Sequence, residues 1–166
     1  MRRALATATG IALLVGAMAA PAVTAHGDGG PWAKELTGNN KDNTLTGAGG
    51  NDKIRGKAGA DTISGARGKD RLIGGKGKDT IKGGDGHDDI FGGEHSDTLI
   101  GGNGNDTIKG GPGEDTLKGG SGNDTLRADG DGSADFVNCG KGTGDKAFVD
   151  PKDTVTQCET VKVILP

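Results

Sequence analysis

The chain has 166 residues, enough for one domain, but it contains 35 Gly, three Phe, one Trp and no Tyr. This composition excludes an ordinary hydrophobic core and leaves a periodic fold or disorder as the two explanations. The formal net charge is −3, and Lys and Arg are interspersed with Asp instead of forming a basic block, which argues against nucleic-acid binding.

Residues 1–25 are predicted to be a secretory signal peptide. Arg2 and Arg3 precede an apolar run over residues 4–20, and Ala25 ends a stretch of small residues that suits cleavage. Thr and Gly dilute the apolar run, which is also short for a membrane-spanning helix. We therefore expect cleavage after Ala25, a secreted or extracellular protein, and no membrane span in the mature chain.

Residues 26–37 are predicted to form an N-terminal cap. Leu36 lies nine residues before Leu45, so the segment GGPWAKELT reads as a degenerate repeat, with Trp32 as its lid and Lys34 in place of an acidic residue. Terminal units of solenoids are expected to be atypical because they shield the end of the core. A disordered tail that matches the frame by chance is the alternative.

Ten nine-residue units fill residues 38–127 without a slip in frame. The eighth position holds only Leu or Ile: Leu45, Ile54, Ile63, Leu72, Ile81, Ile90, Leu99, Ile108, Leu117 and Leu126. The flanking seventh and ninth positions are mostly polar, which predicts a short strand with one residue inward and two outward. Gly, Asn and Asp in the first six positions suit tight turns with positive φ angles. The strict period favours an ordered solenoid over disorder.

The units resemble the RTX, or haemolysin-type, calcium-binding repeat G-G-x-G-x-D-x-U-x. The resemblance covers residues 38–127 and implies an all-β fold, a parallel β-roll. In this right-handed β-helix two repeats make one turn, odd and even units line opposite faces, and capping segments close both ends. It also implies Ca²⁺ ions between consecutive loops of one edge, held by Asp carboxylates and by carbonyls of the Gly-rich turns.

Stacking of the sixth-position residues gives a physical reason for a cation. Every unit except the first carries Asp there, and carboxylates about 5 Å apart repel by roughly 1 kcal/mol in water and more where water is excluded. Hard oxygen donors without thiols or paired imidazoles select Ca²⁺ over Zn²⁺. We therefore expect several bound Ca²⁺ ions and folding that depends on them.

The resemblance assigns metal ligands residue by residue. Units 5–10 match best, through Gly74, Gly75, Asp79, Gly83, Gly84, Asp88, Gly92, Gly93, Asp97, Gly101, Gly102, Asp106, Gly110, Gly111, Asp115, Gly119, Gly120 and Asp124. In unit 7, His95 replaces the fourth-position Gly. Weaker sites are expected in units 2–4, where Ala48, Lys57 and Ala66 replace the second Gly. The aspartates of these weaker sites are Asp52, Asp61 and Asp70, and unit 1 carries Asn43 instead.

Lys34 would share an edge with Asp52 if the frame of the degenerate repeat is right. Its ammonium group would then take the place of the first Ca²⁺ of that column. A solvated lysine is the alternative interpretation, and both stay open at this point.

Residues 128–166 are predicted to form a C-terminal cap. Cys139 and Cys158 are the only cysteines, and in an exported chain they are expected to form one disulfide, worth about 3 kcal/mol in the loop-entropy model. A single inserted residue after the repeats would place Phe136 inward. Residues 161–165 read as a closing strand.

Other candidate sites are weaker. Residues 129–135 resemble a calcium loop only loosely, because they lack the spacing and the Glu of an EF-hand. His87 and His95 belong to opposite edges, so surface loops are favoured over a zinc site. Ile73 and Phe91 occupy outward positions on adjacent turns and predict a small apolar patch.

No catalytic constellation is evident, because the repeat accounts for the aspartates, and we predict that the chain is not an enzyme. The leading hypothesis is a secreted, monomeric Ca²⁺-binding structural or interaction module with an unknown cell-surface or protein partner. A calcium-dependent adhesion module is the alternative, followed by an ice-binding solenoid, since outward threonines form one row. Those threonines, which also suit any strand, are Thr44, Thr62, Thr80, Thr98 and Thr116.

Overall fold

The computed structural model describes the backbone of residues 22–24 and the whole of residues 34–165. Within these ranges the chain forms sixteen β-strands and no helix that could cross a membrane. The strands are β1 (Ala22–Thr24), β2 (Lys34–Thr37), β3 (Thr44–Thr46), β4 (Asp52–Ala58), β5 (Thr62–Arg67), β6 (Arg71–Lys76), β7 (Thr80–Asp85), β8 (Asp89–Glu94), β9 (Thr98–Asn103), β10 (Thr107–Lys109), β11 (Thr116–Ser121), β12 (Thr125–Ala128), β13 (Phe136–Lys141), β14 (Lys146–Val149), β15 (Thr154–Thr156) and β16 (Thr160–Val163).

The strands sort into two parallel sheets. Each strand pairs with the strand two places along the chain, so odd-numbered strands form one eight-stranded sheet and even-numbered strands form the other. The chain therefore winds as a parallel β-solenoid of about seven turns. The predicted β-roll, with two repeats per turn and with odd and even units on opposite faces, is confirmed.

One apolar residue per strand builds most of the core. Leu45 pairs with Ile63 and Ile63 pairs with Ile81 in one sheet, and Ile54 pairs with Leu72 in the other. All ten eighth-position residues are at most 1% exposed, so the predicted inward column is confirmed. Because each strand pairs with the strand two repeat units away, like residues stack on like, and a core this narrow needs no aromatic side chains.

The central strands are longer than the predicted three residues. In β7 the buried positions are Ile81 and Gly83, so the first three positions of the next unit belong to the strand and not to the turn. Gly84 follows with a φ of +123°, a conformation that residues with a side chain rarely adopt. In the units that these longer strands enter, the turn proper therefore occupies only positions four to six.

The degenerate repeat before residue 38 joins the second sheet. Leu36 of β2 lies opposite Ile54 and is 5% exposed, so the predicted frame is confirmed. Trp32, the predicted lid, and most of the predicted signal peptide lie outside the described residues. Strand β1 pairs with β3, and the predicted cleavage after Ala25 would remove β1 from the mature chain.

The predicted C-terminal cap extends each sheet by two strands. The prediction that Phe136 faces inward is wrong, because Phe136 is 37% exposed and Val137 is the buried residue. Leu117 pairs with Leu99 on one side and with Val137 on the other. The sequence separation from Leu117 to Val137 is two residues longer than that from Leu99 to Leu117. The insertion therefore has two residues instead of one, and a shift of one residue reverses the face of every side chain in a strand.

A disulfide and an exposed strand lie at the C-terminal end of the described residues. Cys139 and Cys158 form the predicted disulfide, with Cα atoms 5.1 Å apart, and Cys139 is fully buried. Strand β16 is the outermost strand of its sheet. Its Val161 and Val163 are therefore 46% and 51% exposed, although they continue the pattern of a closing strand.

Truncation of a single core residue should destabilise the roll. Ile81 is fully buried between Ile63 and Leu99, and we expect Ile81→Ala to lower the free energy of unfolding by about 2–5 kcal/mol in urea titrations. The next residue, Lys82, is exposed, so Lys82→Ala should change it by less than about 0.5 kcal/mol. Equal stability of the two variants would contradict a core built from one residue per strand.

Candidate metal centre

The sixth-position aspartates stack into two ladders, one on each edge of the roll. From Asp61 onward, the Oδ1 atom of each repeat aspartate accepts a hydrogen bond from the backbone N–H of the sixth-position residue one turn earlier. Asp79 N–H donates to Asp97 Oδ1, and Asp88 N–H donates to Asp106 Oδ1, each over 2.8 Å. The ladder side chains are at most 2% exposed. A buried, charge-assisted hydrogen bond therefore links each turn to the next.

The second carboxylate oxygen of these residues has no hydrogen-bond partner. The buried, unpartnered Oδ2 atoms in the repeats belong to Asp61, Asp70, Asp79, Asp88, Asp97, Asp106, Asp115 and Asp124. Burial of an ionised oxygen without a partner is strongly unfavourable unless a cation is bound. This shared feature identifies the oxygens as candidate cation ligands.

Each unpartnered oxygen lies over the first-position glycine of its own unit. A Cβ atom on Gly101 would collide with Asp106 Oδ2 and would lie 2.5 Å from the carbonyl oxygen of Gly119 in the next turn of the same edge. A carboxylate oxygen and a backbone carbonyl oxygen thus converge on a space that only glycine leaves open. All ten units therefore begin with Gly, although their second position varies.

The donors fit Ca²⁺. They are hard oxygens from carboxylates and backbone carbonyls, the ligands that Ca²⁺ prefers. Within residues 34–165, no three acidic, His or Cys side chains form a group that could hold a metal by themselves. Each ion would therefore depend on ladder carboxylates together with carbonyls of the glycine turns.

A family model of the RTX calcium-binding nonapeptide repeat matches the chain over residues 37–72, 64–94 and 91–126. These matches together cover more than half of the chain. The chain belongs to the RTX calcium-binding repeat family. No curated protein matches the chain. The nonapeptide repeats of this family bind calcium, so the two ladders carry the metal-binding motif of an RTX protein.

The structure places the predicted RTX ligands of units 5–10 in two equivalent rows. One edge carries Asp79, Asp97 and Asp115, and the other carries Asp88, Asp106 and Asp124. Their second-position glycines pair across turns, as Gly84 does with Gly102 and Gly102 with Gly120. The individual ligand assignments stay predictions.

The predicted weaker RTX units divide into two groups. Lys57 and Ala66 have φ angles of +92° and +89°, so the loops of units 3 and 4 follow the glycine path despite their side chains. The aspartates of both units keep an unpartnered Oδ2. In unit 2, by contrast, Ala48 N–H donates to Asp52 Oδ2 over 2.9 Å. Units 3 and 4 therefore resemble the later units, whereas unit 2 differs from them.

Burial raises the pKa of the ladder carboxylates. It raises the pKa of Asp97 and Asp106 to about 7; the backbone hydrogen bond to each acts in the opposite direction, and carboxylates on the same edge add to the rise. The same burial raises the pKa of Asp70, Asp79, Asp115 and Asp124 to about 6. The ionised form of the ladder is therefore unfavourable in the fold unless a cation compensates it.

Lys34 occupies the sixth position of the degenerate repeat. An aspartate there would begin the ladder that contains Asp88, Asp106 and Asp124. Lys34 lies opposite Asp52 and is only 8% exposed, which contradicts the solvated alternative. Burial lowers the pKa of Lys34, and the Asp52 carboxylate opposes that effect. Asp52 Oδ1 is itself buried without a hydrogen-bond partner. These observations support the hypothesis that the Lys34 ammonium is a built-in cation at this end of the ladder.

Sequence reasoning missed two members of the ladders. Asp115 N–H donates to Asp135 Oδ1 and Asp124 N–H donates to Asp145 Oδ1, each over 2.7 Å, although both acceptors lie beyond the repeats. Longer loops hide them from a count in steps of nine. The signal that could have found them is the local order D-x-U, an aspartate two residues before a buried apolar residue, as in the repeats.

The histidines do not form a metal site with each other. His87 Nδ1 accepts a hydrogen bond from Asn105 N–H over 2.7 Å, whereas His95 Nδ1 lies 2.8 Å from the Glu94 carbonyl oxygen. Both are exposed loop residues of consecutive units, as predicted. His95 has a φ of +82° and so keeps the loop path that glycine takes elsewhere.

The carboxylates of residues 129–135 do not form a shared metal site either. Asp129 is engaged by Arg127, and Asp131 accepts hydrogen bonds from Gly113 N–H and Ser133 N–H. The loose resemblance of this segment to a calcium loop therefore does not correspond to a convergent ligand set.

The predicted apolar patch lies on the outer face of the second sheet. Ile73 and Phe91 pair on adjacent turns, and the Arg71 guanidinium lies 5.4 Å from the centre of the Phe91 ring. A groove of about 420 Å³ runs from Phe91 to Pro112. The lining of this groove includes Gly93, Gly110 and Gly111, which are predicted ligands of units 7 and 9, so the patch borders one row of the metal-binding loops.

Acid should stabilise the calcium-free roll. The folded-state pKa values of about 6 to 7 exceed the value of about 3.9 for Asp in an unfolded chain, so protonated carboxylates favour the fold. This contribution is complete below pH of about 4 and is lost as the pH rises through about 6 to 7. In protein stripped of calcium by dialysis, we expect the β-sheet signal in circular dichroism to grow as the pH falls from about 8 to about 5.

A combined Asp97→Asn and Asp106→Asn variant should show a smaller response to pH. A parent protein whose β content stays constant or falls on acidification without calcium would contradict the unfavourable burial of the ladders.

Replacement of Lys34 should weaken the calcium-free roll. Lys34→Ala leaves the buried Asp52 carboxylate without the nearby positive charge. In calcium-free protein at about pH 5, where the roll is expected to be folded, we expect a loss of about 1–3 kcal/mol in the free energy of unfolding. Lys41 is exposed and lies outside the ladder, so Lys41→Ala is the matched control. If Lys34→Ala changed neither calcium-free stability nor the number of bound ions, the built-in cation hypothesis would be wrong.

Proposed function

We propose that the protein is a secreted module that folds around several Ca²⁺ ions and acts as a structural or interaction element. The observation that carries the proposal is the pair of continuous ladders, in which each buried aspartate presents one oxygen with no hydrogen-bond partner. The family supports calcium as the ion. That the ladders hold several ions is part of this proposal.

The ladders give a physical reason for coupling between binding and folding. The core contributes little more than one Leu or Ile per strand, while each of units 3–10 buries a carboxylate whose ionised form burial disfavours. A cation that binds only the folded loops stabilises the fold by mass action. The module would therefore be weakly structured at neutral pH without calcium and ordered at millimolar calcium, the range of extracellular calcium modules.

Several features support Ca²⁺ over other divalent ions. The convergent donors are carboxylate and carbonyl oxygens on glycine-rich backbone, which adapts to the six to eight ligands of Ca²⁺. Mg²⁺ demands near-ideal octahedral geometry and gives up its water reluctantly. Zn²⁺ favours thiols and imidazoles, and the two cysteines form a disulfide.

A structural or interaction role is favoured over catalysis. RTX repeat rolls are generally structural, and the buried carboxylates of this chain are engaged in the ladders. The patch at Ile73 and Phe91 supports an interaction module and keeps calcium-dependent adhesion as the second candidate. The threonine row supports ice binding less well, because Lys82, Ile100 and Lys118 occupy the row beside it.

Secretion is supported by the signal-peptide pattern of residues 1–25 and by the disulfide. Disulfides persist mainly in oxidising compartments, and extracellular fluid supplies calcium at the concentrations that such modules need. A secreted chain would therefore fold after export, when it first meets enough calcium.

Calcium should control both secondary structure and ladder occupancy. Circular dichroism of the mature chain should lose β-sheet signal with EGTA and regain it at millimolar Ca²⁺ but not at equal Mg²⁺. Asp88→Asn should lower the bound calcium measured by titration calorimetry, because Asp88 is a buried ladder residue. The adjacent Asp89 faces outward on β8, so Asp89→Asn makes the same charge change without touching the ladder.

Equal calcium binding by these two variants would contradict the ladder as the binding site. A spectrum that EGTA leaves unchanged would contradict the coupling of folding to calcium.

A further inference from the structure

We propose that the segment beyond the RTX repeats carries two further Ca²⁺ sites, one at Asp135 and one at Asp145. The family match ends at residue 126, and neither aspartate belongs to a G-G-x-G-x-D unit. The inference rests on the proposed function, because it extends the same two ladders into the disulfide-bonded end of the protein.

Burial and hydrogen bonding place both residues in the same state as the repeat aspartates. Asp135 is 2% exposed and Asp145 is fully buried. The Oδ1 atom of each accepts the backbone N–H of the ladder residue one turn earlier, over 2.7 Å. The Oδ2 atom of each is buried and has no hydrogen-bond partner. These two unpartnered oxygens therefore present the feature that marks the candidate ligands of the repeats.

The loop before Asp145 brings carboxylate and carbonyl oxygens together over a different glycine. A Cβ atom on Gly142 would lie 2.6 Å and 2.7 Å from the two carboxylate oxygens of Asp145 and would collide with the Gly122 carbonyl oxygen. In the repeats, the carboxylate lies over the first-position glycine, and the carbonyl oxygen beside it belongs to the next turn instead of the preceding one. Here carboxylate and carbonyl oxygens again converge on a space that only glycine leaves open, three residues before the aspartate.

The disulfide starts from the first position of the same loop. Cys139 takes the first position of this loop, and its carbonyl oxygen faces Gly119 as a glycine carbonyl does in the repeats. The Asp145 carboxylate lies over Gly142, and the first position carries the buried Cys139 side chain. The covalent link to Cys158 starts there.

The ladders end one turn later. Both oxygens of Asp153 are engaged, Oδ1 by Asp135 N–H over 3.0 Å and Oδ2 by Asp150 N–H over 2.7 Å. Glu159, which accepts Asp145 N–H over 2.9 Å, is exposed. In residues 34–165 the unpartnered ladder oxygens thus end at Asp135 and Asp145, and these define the last proposed ions.

Native mass spectrometry of the mature chain at saturating calcium counts the ions directly. We expect Asp135→Asn and Asp145→Asn each to bind one ion fewer than the parent and the double variant to bind two fewer. Asn keeps the Oδ1 acceptor of the ladder. Asp129→Asn is the matched control, because it removes one charge from the same segment where Arg127 already engages both carboxylate oxygens. The control should bind as many ions as the parent.

A double variant that keeps its β-sheet spectrum and binds as many ions as the parent overturns the inference. If the double variant does not fold, crystals of the unmodified protein grown with calcium decide the question. Anomalous scattering peaks beside the Oδ2 atoms of Asp135 and Asp145 are expected. Peaks along the repeats without peaks at these two residues overturn the inference alone, whereas a protein with no calcium peaks overturns the proposed function as well.

Discussion

A buried aspartate with one oxygen hydrogen-bonded and the other unpartnered is the constraint on which the roll depends. The first oxygen joins each turn to its neighbour, as in the bond from Asp79 N–H to Asp97 Oδ1. In units 3–10 the second lies over the first-position glycine of its own unit, and the first position of all ten units is Gly. The core of one Leu or Ile per strand is small, so in the proposed function a cation that neutralises the carboxylates reinforces the apolar burial.

Much of the fold could be predicted because the same nine-residue pattern of apolar, acidic and glycine residues occurs ten times. Every eighth-position residue from Leu45 to Leu126 is buried as expected, since one inward side chain per nine residues fits only one register. The prediction failed where the period ended. The nine-residue period does not give the length of an irregular loop, so it predicts Phe136 inward where Val137 takes that position. The local order D-x-U at Asp135 indicates the correct register.

The candidate site was predictable in composition and less so in detail. The ladder follows from sixth-position acids, but the difference between unit 2 and units 3 and 4 depends on backbone angles. Lys57 and Ala66 adopt the positive φ expected of glycine, whereas Ala48 does not. Asp145 escaped notice for a related reason, because its glycine lies three residues before it and not five. A residue pattern records which side chains are present, while the space above a glycine exists only after folding.

The pairing of each unit with the unit two places along has a consequence for how such a protein can change its length. Because each edge repeats after two units, insertion or deletion of a pair of units would add or remove one whole turn and leave both ends unaltered. A change of a single unit would exchange the two edges for everything that follows, moving the even-edge loops onto the odd edge. Unequal recombination between copies is therefore tolerable in pairs of units, and the protein is a natural candidate for engineered rods of graded length.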